Sequence, residues 1–239
     1  MKDKKTPLKF RHELKYVIDE AERRYIKNSI SSVLQADLHT SEDNTYSIRS
    51  LYFDDVWQSA YNDKMAGVNE RSKYRIRIYN YSDSVIKLER KAKSGQYINK
   101  VSASLTHEEV DSILRGEFSF LLDKENMLCR DFYMECMTNL MRPNVIVDYE
   151  REPYVLPYGD VRITFDSRVR AGLTDFNIFD ASIPVYDVLD GGSLIMEVKF
   201  TEYLPEIVRQ LLPTSDSVYT SASKYVMCME KKNEMMGYE

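Results

Sequence analysis

The chain has 239 residues, of which 43% are hydrophobic and 30% are charged, and its formal net charge is −5. This length suffices for one large domain or two small ones with a sizeable core. The acidic balance disfavours nucleic-acid binding, because nucleic-acid-binding domains are usually basic. No apolar stretch approaches the roughly 18 residues of a membrane span, and the N-terminus lacks the apolar core of a secretory signal. We therefore expect a cytoplasmic protein that does not itself insert into a membrane.

The cysteines are three in number and widely separated, at Cys129, Cys136 and Cys228. Their spacing matches neither a disulfide framework nor a zinc-binding motif. We predict that they are small buried side chains, as free cysteines usually are.

Strand-like segments recur along the whole chain. They are short, rich in β-branched or aromatic residues, and separated by turn residues such as Ser94-Gly95 and Tyr158-Gly159-Asp160. The short connection at Ser94-Gly95 predicts an antiparallel hairpin. The predicted strands are 7–18, 45–54, 71–81, 84–93, 96–104, 143–151, 160–167 and 194–201.

Helices are predicted between these strands. Asp19 with Glu22 forms a capping box that begins a helix ending near Leu34, and Thr106 with Glu109 begins a short one ending near Gly116. Helical spacing of apolar residues predicts two more helices, over Lys124–Leu140 and 220–236. Since no repeat or linker interrupts the series, we expect a single domain over 1–239.

Charged residues alternate with apolar ones along two neighbouring predicted strands. The charged positions are Lys73, Arg75 and Arg77 in the first strand and Lys87, Glu89, Lys91 and Lys93 in the second. Successive side chains of a strand point to opposite faces, so each run places its charges on one face. Like charges so close together repel and are costly to desolvate. Such a face must therefore meet water or bind something strongly anionic.

The same alternation gives at least six strands one apolar and one charged face. If all the charged faces shared one interior, it would carry a charge of +8 and leave −13 for the remaining residues. A positive interior inside an acidic exterior would focus anions into one site. The residues concerned are Arg11, Lys15, Lys73, Arg75, Arg77, Lys87, Lys91, Lys93, Arg151, Arg162 and Lys199, with Glu13, Glu89 and Glu197.

Two α+β architectures fit this pattern. In an open sheet or sandwich the apolar faces pack and the charged faces meet water. In a closed, antiparallel, eight-stranded β-barrel the helices pack on the outside and the charged faces line a lumen. The recurrence of carboxylates among the cations suits the barrel, because a divalent metal needs oxygen ligands beside the phosphates that it bridges.

Eight motifs in order along the chain resemble the VTC domain, the polyphosphate polymerase branch of the triphosphate tunnel metalloenzymes (a CYTH-like superfamily). The resemblance covers about residues 7–230, and it implies the closed tunnel fold. The motifs are Arg11-His-Glu-Leu-Lys-Tyr16, Ser50-Leu-Tyr-Phe-Asp54, Lys73-Tyr-Arg-Ile-Arg-Ile-Tyr79, Leu88-Glu-Arg-Lys91, Asp148-Tyr-Glu-Arg151, Arg162-Ile-Thr-Phe-Asp166, Met196-Glu-Val-Lys-Phe200 and Ser223-Lys-Tyr225.

The resemblance implies a metal-dependent transfer of the γ-phosphate of ATP onto a growing polyphosphate chain. Arg75 and Arg77 would grip the transferring phosphoryl group, with Lys224 on the triphosphate or product chain. Glu197 would hold Mn²⁺ or Mg²⁺, with Glu13 and Glu89 as helpers. Further phosphate contacts are implied for Lys15, Lys91, Lys100, Arg151, Arg162 and Lys199, and hydroxyl hydrogen bonds for Tyr149 and Ser223. The alternating faces add Arg11, Lys73, Lys87 and Lys93 as phosphate-binding candidates.

Three functions remain open on these residues: a polyphosphate polymerase, an inorganic triphosphatase or nucleoside triphosphatase, and a non-catalytic polyphosphate or nucleotide binder. Hydrolytic relatives usually begin with Glu-x-Glu-x-Lys, whereas this chain has Arg11 where the first acid would stand, before Glu13 and Lys15. Loss of one carboxylate weakens metal-assisted activation of water, which favours the polymerase. The sequence shows neither the SPX domain nor the membrane helices of full-length eukaryotic members. A membrane-protein partner and the oligomeric state therefore stay open.

Overall fold

The computed structural model describes residues 11–30, 35–36, 44–95, 97–156, 160–201, 203–210, 212 and 223–237. The predicted strand positions 7–10, the predicted helix positions 31–34 and 220–222, and the predicted turn positions 158–159 lie outside the described residues. The side chain of Arg11 lies outside them as well.

The described residues form ten strands, six α-helices and one short 3-10 helix, Ser119–Leu122. The strands are β1 (Arg11–Ile18), β2 (Gln35–Ala36), β3 (Tyr46–Asp54), β4 (Glu70–Tyr79), β5 (Ser82–Ser94), β6 (Tyr97–Ser104), β7 (Arg142–Leu156), β8 (Val161–Gly172), β9 (Tyr186–Asp187) and β10 (Leu194–Thr201). The helices are α1 (Glu20–Ile30), α2 (Ser59–Met65), α3 (His107–Leu114), α4 (Met127–Thr138), α5 (Glu206–Arg209) and α6 (Lys224–Met236).

Contacts divide the chain into two compact units, each made of three chain segments. The first unit comprises Met1–Tyr46, Glu150–Arg168 and Leu189–Ala222. The second comprises Ser47–Tyr149, Val169–Val188 and Ser223–Glu239. The single domain expected over 1–239 stays a prediction.

In the first unit, β1, β10, β8 and β7 pair in that order, with β2 added to β7. The apolar side of this sheet packs against α1, where Ile26 and Ile30 join a buried cluster with Met196 and Phe165. The capping box predicted for α1 is present, because Asp19 and Glu22 exchange backbone-to-carboxylate hydrogen bonds of 2.9 and 2.7 Å. The opposite side of the sheet is left for the charged residues.

In the second unit, β7, β3, β4, β5 and β6 pair in that order, and β9 pairs with β8. The apolar side of β4 is buried against α3 and α4, so that Ile76 shares a core with Val110 and Phe132. The predicted capping box of α3 is confirmed at Thr106 and Glu109. The alternation read from the sequence therefore separates a packed face from a charged face within this unit.

A tight turn joins β5 to β6, as Ser94-Gly95 predicts. The two strands pair antiparallel with Ser94 opposite Tyr97. Gly95 adopts a left-handed backbone with φ of 57°, a conformation that costs glycine little. The register places Glu89 of β5 opposite Ser102 of β6.

The helix α6 departs from the expectation that helices pack only outside the sheet. Its Tyr225 stacks on Tyr52 of β3, with ring centroids 4.8 Å apart. Tyr52 lies opposite Arg75 in the register and so belongs to the charged face. In the second unit, one helix thus contacts the face that carries the candidate site.

The antiparallel sheet with helices is confirmed, but a closed barrel is not. Among the described residues no strand pairing completes a ring, so closure stays a prediction. In the same part of the chain, no helix is both long and apolar enough to cross a membrane. Cys129, Cys136 and Cys228 are buried free thiols, as predicted.

Candidate functional site

The charged face of β4 in the second unit carries the candidate site, which we call the Arg75 cluster. The strand register sets Arg75 between Tyr52 of β3 and Glu89 of β5, and Arg77 between Ser50 of β3 and Lys87 of β5. The buried alternation of Tyr74, Ile76 and Ile78 forces these arginines to the other side. The Arg75 cluster comprises Ser50, Tyr52, Lys73, Arg75, Arg77, Glu89, Lys100, Tyr149, Ser223 and Lys224.

Arg75 is held from two sides. Its Nε donates to Oε2 of Glu89 at 2.7 Å, and its Nη2 lies 2.6 Å from the same oxygen. Its Nη1 donates to the hydroxyl of Tyr52 at 2.7 Å. Because a guanidinium has five N–H donors, donors remain on Nη1 and Nη2 for an anion. Arg75 is therefore fixed in orientation and still able to bind phosphate.

Arg77 has only neutral hydrogen-bond partners among its recorded contacts. Its Nε donates to the hydroxyl of Ser50 at 3.0 Å, and its Nη2 donates to the hydroxyl of Tyr149 at 3.4 Å. Hydroxyls orient a guanidinium without neutralising its charge. The full positive charge of Arg77 is thus presented on the same face as Arg75.

Two lysines of the cluster lie against aromatic rings. The Nζ of Lys73 is 5.4 Å from the ring centres of both Tyr52 and Tyr225, and it donates to the hydroxyl of Ser223 at 3.4 Å. The Nζ of Lys224 lies 5.0 Å from the ring centre of Tyr149. Cation–π contacts of this kind hold an ammonium group in place without cancelling its charge.

Glu89 is the carboxylate that balances part of this charge. Its side chain is 5% exposed, and its Oε1 lies 2.5 Å from Nζ of Lys100 while its Oε2 contacts Arg75. Burial opposes ionisation of the carboxyl, but the charges of Arg75, Arg77 and Lys100 outweigh it and lower the pKa of Glu89 to about 2. Glu89 is therefore ionised throughout the physiological range and has both oxygens engaged by cations.

Three other predicted phosphate ligands on β5 differ in surroundings. Lys91 pairs in register with both Lys73 and Lys100, so it extends the basic face. Lys87 donates to the hydroxyl of Ser104 at 2.8 Å. Lys93 lines a cavity of about 520 Å³ whose walls also carry Asp54, Asp55, Asp63, Glu70 and Glu135. Acidic walls do not favour an anion, so the phosphate role of Lys93 stays a prediction without geometric support.

A second charged group lies in the first unit, and we call it the Glu197 cluster: Glu13, Lys15, Arg151, Arg162, Thr164, Asp166, Glu197 and Lys199. Glu197 pairs with Lys15 of β1 and with Thr164 of β8 in the register. Its Oε2 lies 2.8 Å from Nζ of Lys199, and its Oε1 lies 3.6 Å from Nζ of Lys15. The same lysines contact Glu13, at 3.3 and 3.7 Å.

The arginines of the Glu197 cluster have distinct partners. Arg151 donates two hydrogen bonds of 2.7 Å to the two oxygens of the buried Asp166, a paired geometry that fixes the guanidinium plane. Its Nη2 also lies 3.7 Å from Glu197. Arg162 donates to the hydroxyl of Tyr46 at 3.4 Å.

The Glu197 cluster contains two neighbouring glutamates, whereas the Arg75 cluster contains one. Glu13 and Glu197 offer hard oxygen donors beside the same two lysines, and Mg²⁺-type ions usually combine one or two carboxylates with phosphate oxygens and water. Within the described ranges, no group of three or more His, Cys, Asp or Glu side chains is arranged to hold a metal. The oxygens of Glu89 contact Arg75 and Lys100, and those of Glu197 contact Lys15, Lys199 and Arg151. The metal roles of Glu13, Glu89 and Glu197 therefore stay predictions.

Several residues of these clusters were not assigned from the sequence. Tyr52 and Ser50 complete the coordination of Arg75 and Arg77, and Asp166 orients Arg151. A signal was present, because Ser50 and Tyr52 alternate with Leu51 and Phe53 on the strand before β4. What the sequence lacked was the β3–β4 register, which depends on long-range pairing.

The family model for the VTC domain matches residues 10–233. This match spans almost the whole chain and includes every residue of both clusters. The chain belongs to the VTC domain family. No protein of curated function matches this VTC domain in sequence.

Solved structures resemble this VTC domain at low sequence identity. HpAC1 from Hippeastrum, a proposed adenylyl cyclase with a dominant triphosphatase activity, is 14% identical with a TM-score of 0.55, covering 94% of this chain and 97% of its own. A proposed adenylate cyclase from Bacillus halodurans is 11% identical with a TM-score of 0.46, covering 95% and 89%. The likeness to HpAC1 concerns the fold alone.

Proposed function

We propose that this VTC domain is a metal-dependent polyphosphate polymerase, which transfers the γ-phosphoryl group of ATP onto the end of a polyphosphate chain and releases ADP. The proposal includes closure of the sheet into a tunnel. Phosphoryl transfer needs alignment and charge neutralisation rather than a protein nucleophile. The residues of the two clusters offer these properties.

The observation that carries the proposal is the placement of Arg75 and Arg77 on one strand face. Both guanidiniums are oriented by tyrosine hydroxyls. Guanidinium forks bind phosphate oxygens in pairs and stay charged at any physiological pH. Preorganised donors of this kind stabilise the charge that develops on the transferring group. Lys224 and Lys73 add positive charge on the same face.

Glu197, with Glu13, would hold Mn²⁺ or Mg²⁺. Such an ion supplies charge neutralisation on phosphate oxygens when bound. Lys15 and Lys199, which contact these carboxylates, would bind the phosphate chain. Arg151, held by Asp166, would contact the same chain.

A triphosphatase is the second candidate function. The observation that favours it is the fold shared with HpAC1, which has a dominant triphosphatase activity. The observation against it is Arg11, a cation where hydrolytic relatives have the first glutamate. Hydrolysis would release orthophosphate from tripolyphosphate without chain growth.

The test is incubation of the purified protein with ATP and Mn²⁺, followed by separation of the products by chain length. Long polyphosphate chains are expected. A parallel incubation with tripolyphosphate and Mn²⁺ covers the triphosphatase, which would release orthophosphate without chain growth. Unchanged ATP together with unchanged tripolyphosphate would contradict both enzymatic functions and favour the binder. Arg115→Ala is a control variant that should form the same products as the unmodified protein. Arg115 is exposed and pairs only with Ser112 and Glu117 in the recorded side-chain contacts.

A further inference from the structure

We propose that Tyr52 is a positioning residue for Arg75 and Lys73 that couples phosphate binding at the Arg75 cluster to the uptake of one proton. The inference rests on the proposed function in that it takes condensed phosphate as the ligand of this cluster.

The geometry around Tyr52 combines burial with positive charge. The side chain is 4% exposed and stacks on Tyr225. Its hydroxyl accepts a hydrogen bond from Nη1 of Arg75 at 2.7 Å. Its ring lies 5.4 Å from Nζ of Lys73 and 5.7 Å from the guanidinium carbon of Arg75. One phenol thus contacts two of the cations that would bind phosphate.

The charged and titratable groups around Tyr52 come from five elements. The cations Arg75 and Lys73 contact Tyr52, whereas the two carboxylates have other partners. Asp54 accepts a hydrogen bond from the hydroxyl of Tyr225 at 2.6 Å, and Glu89 pairs with Arg75 and Lys100. The groups are Lys73, Arg75 and Arg77 on β4, Asp54 on β3, Glu89 on β5, Tyr149 on β7 and Tyr225 on α6.

This environment changes the acidity of the phenol. Burial by itself raises the pKa of Tyr52, but the charges of Arg75, Lys73 and Arg77, together with the hydrogen bond from Arg75, outweigh it and lower the pKa to about 7. Without an anion, the phenolate is therefore well populated at neutral and mildly alkaline pH. A phenolate would supply part of the negative charge that the cluster otherwise lacks.

Bound phosphate would replace that negative charge. Once Arg75 and Lys73 are neutralised by phosphate oxygens, the cause of the lowered acidity is removed and the pKa of Tyr52 rises towards that of an ordinary phenol. Binding is then accompanied by protonation of the phenolate oxygen. By linkage, the affinity for phosphate is highest below pH 7. Above pH 7, ionisation of Tyr52 raises the dissociation constant of the phosphate ligand by up to about tenfold per pH unit.

The experiment uses inorganic tripolyphosphate and the tyrosinate absorbance of the full chain between pH 6 and 9. In the ligand-free protein, one tyrosine is expected to titrate near pH 7. Addition of tripolyphosphate at pH 8 is expected to reduce the tyrosinate signal as the binding curve saturates. Tyr52→Phe keeps the ring and removes the hydroxyl, so both signals should disappear.

The matched control is Tyr74→Phe. Tyr74 is buried on the neighbouring strand but belongs to the core cluster on the opposite face, so both signals should persist. The ratio of wild-type to Tyr52→Phe dissociation constants removes the contribution of the ligand's own ionisation, since the same ligand is used for both.

The outcomes distinguish failure of the role of Tyr52 from failure of phosphate as the ligand. If no tyrosine titrates near pH 7 or if Tyr52→Phe keeps the titration, the inference is overturned whatever the protein binds. If tripolyphosphate binds without reducing the tyrosinate signal, the inference fails and the proposed function stands. If the tyrosine titrates but tripolyphosphate does not bind, the coupling is overturned together with the proposed ligand.

Discussion

Arg75 and Arg77 are two residues apart on β4, yet their surroundings give them different electrostatic roles. Arg75 contacts the carboxylate of Glu89, whereas the recorded partners of Arg77 are the hydroxyls of Ser50 and Tyr149. Both can offer guanidinium donors to phosphate. Arg75 also contacts a buried carboxylate of the protein directly, whereas Arg77 acts on the same carboxylate only through its charge.

Replacing either arginine by alanine is expected to reduce polymer synthesis by about 10²–10³-fold, the usual effect of removing one preorganised charge donor. The measurement is the initial rate of polyphosphate formation from ATP and Mn²⁺. Arg115→Ala, which removes an exposed arginine elsewhere in the second unit, should keep the wild-type rate. Rates within threefold of wild type for both β4 variants would contradict the proposed roles.

The two variants should differ in stability. From the sequence alone, loss of either cation relieves like-charge repulsion. The structure changes this expectation for Arg75, because Glu89, which is 5% exposed, would lose the guanidinium on its Oε2 and keep only Lys100 on its Oε1. Removing one partner of a buried ion pair typically costs about 3 kcal/mol. Arg77→Ala leaves only hydroxyls behind. Chemical denaturation should therefore place Arg75→Ala below Arg77→Ala in free energy of unfolding, and the reverse order would be evidence against the Glu89 contact.

The lowered pKa of Glu89 predicts that the free energy of unfolding decreases at acidic pH. Its folded pKa of about 2 lies below the ordinary value of 4.5, so its stabilising contribution is present above pH 4.5 and is lost as the pH falls from there towards 2. Glu89→Gln should flatten this part of the stability profile, as measured by urea denaturation at a series of pH values. Glu117→Gln, an exposed carboxylate that pairs with Arg115, serves as control and should leave the profile nearly unchanged.

At the scale of elements, β4 shows how one strand serves packing and function at once. Its residues Tyr74, Ile76 and Ile78 belong to the core with α3 and α4. Its residues Lys73, Arg75 and Arg77 belong to the Arg75 cluster. Since the side-chain period of a strand is two, a one-residue slip would exchange these faces. The packed face therefore fixes the position of the arginines.

Ile76→Ala tests the packed face of β4. Ile76 is fully buried, and such a truncation usually costs about 2–5 kcal/mol. Ile98→Ala makes the same change on β6 at a residue that is 55% exposed, and it should stay within about 0.5 kcal/mol of wild type. Chemical denaturation measures both, and equal losses would show that β4 does not have the buried face described.

The elements that the sequence predicted well are those with strong local signals. The period-two alternation at Lys73–Arg77 and the capping boxes at Asp19 and Thr106 are local properties, and both were confirmed. The short helices α2 and α5 and the short strands β2 and β9 were missed. Two to seven residues carry too little periodicity to stand out.

The candidate site was predicted in part, for a related reason. Alternation identifies which residues share a face of one strand, so Arg75, Arg77 and Glu89 could be grouped from the sequence. Tyr52 and Asp166 were not assigned, because their contacts with Arg75 and Arg151 depend on pairing between strands distant in sequence. The metal roles of Glu13 and Glu197 stay predictions that rest on the resemblance.

Over the whole molecule, positive and negative charges are unevenly distributed. The net charge is −5, while the Arg75 cluster holds five lysines and arginines, namely Lys73, Arg75, Arg77, Lys100 and Lys224, against one carboxylate. A positive site in an acidic protein attracts condensed phosphate and discourages polyanions from binding elsewhere. Such attraction is sensitive to screening by salt.

Tripolyphosphate affinity is therefore expected to fall as NaCl is raised from about 0.1 to 1 M, where the screening length shrinks from roughly 10 to 3 Å. Calorimetric titration measures the dissociation constants. Arg77→Ala should weaken both the affinity and its salt dependence, because one cation of the site is gone. Arg115→Ala should show the wild-type salt dependence, and an equal change in the two variants would argue for non-specific attraction.

The most direct test of the central claim, that the charged face of β4 binds the phosphates of the substrate, is a crystal structure with a non-hydrolysable ATP analogue and Mn²⁺. We predict that oxygens of the terminal phosphate lie within hydrogen-bonding distance of the guanidiniums of Arg75 and Arg77, with Mn²⁺ on Glu197. An analogue bound away from this face, with Arg75 still contacting only Glu89 and Tyr52, would contradict it.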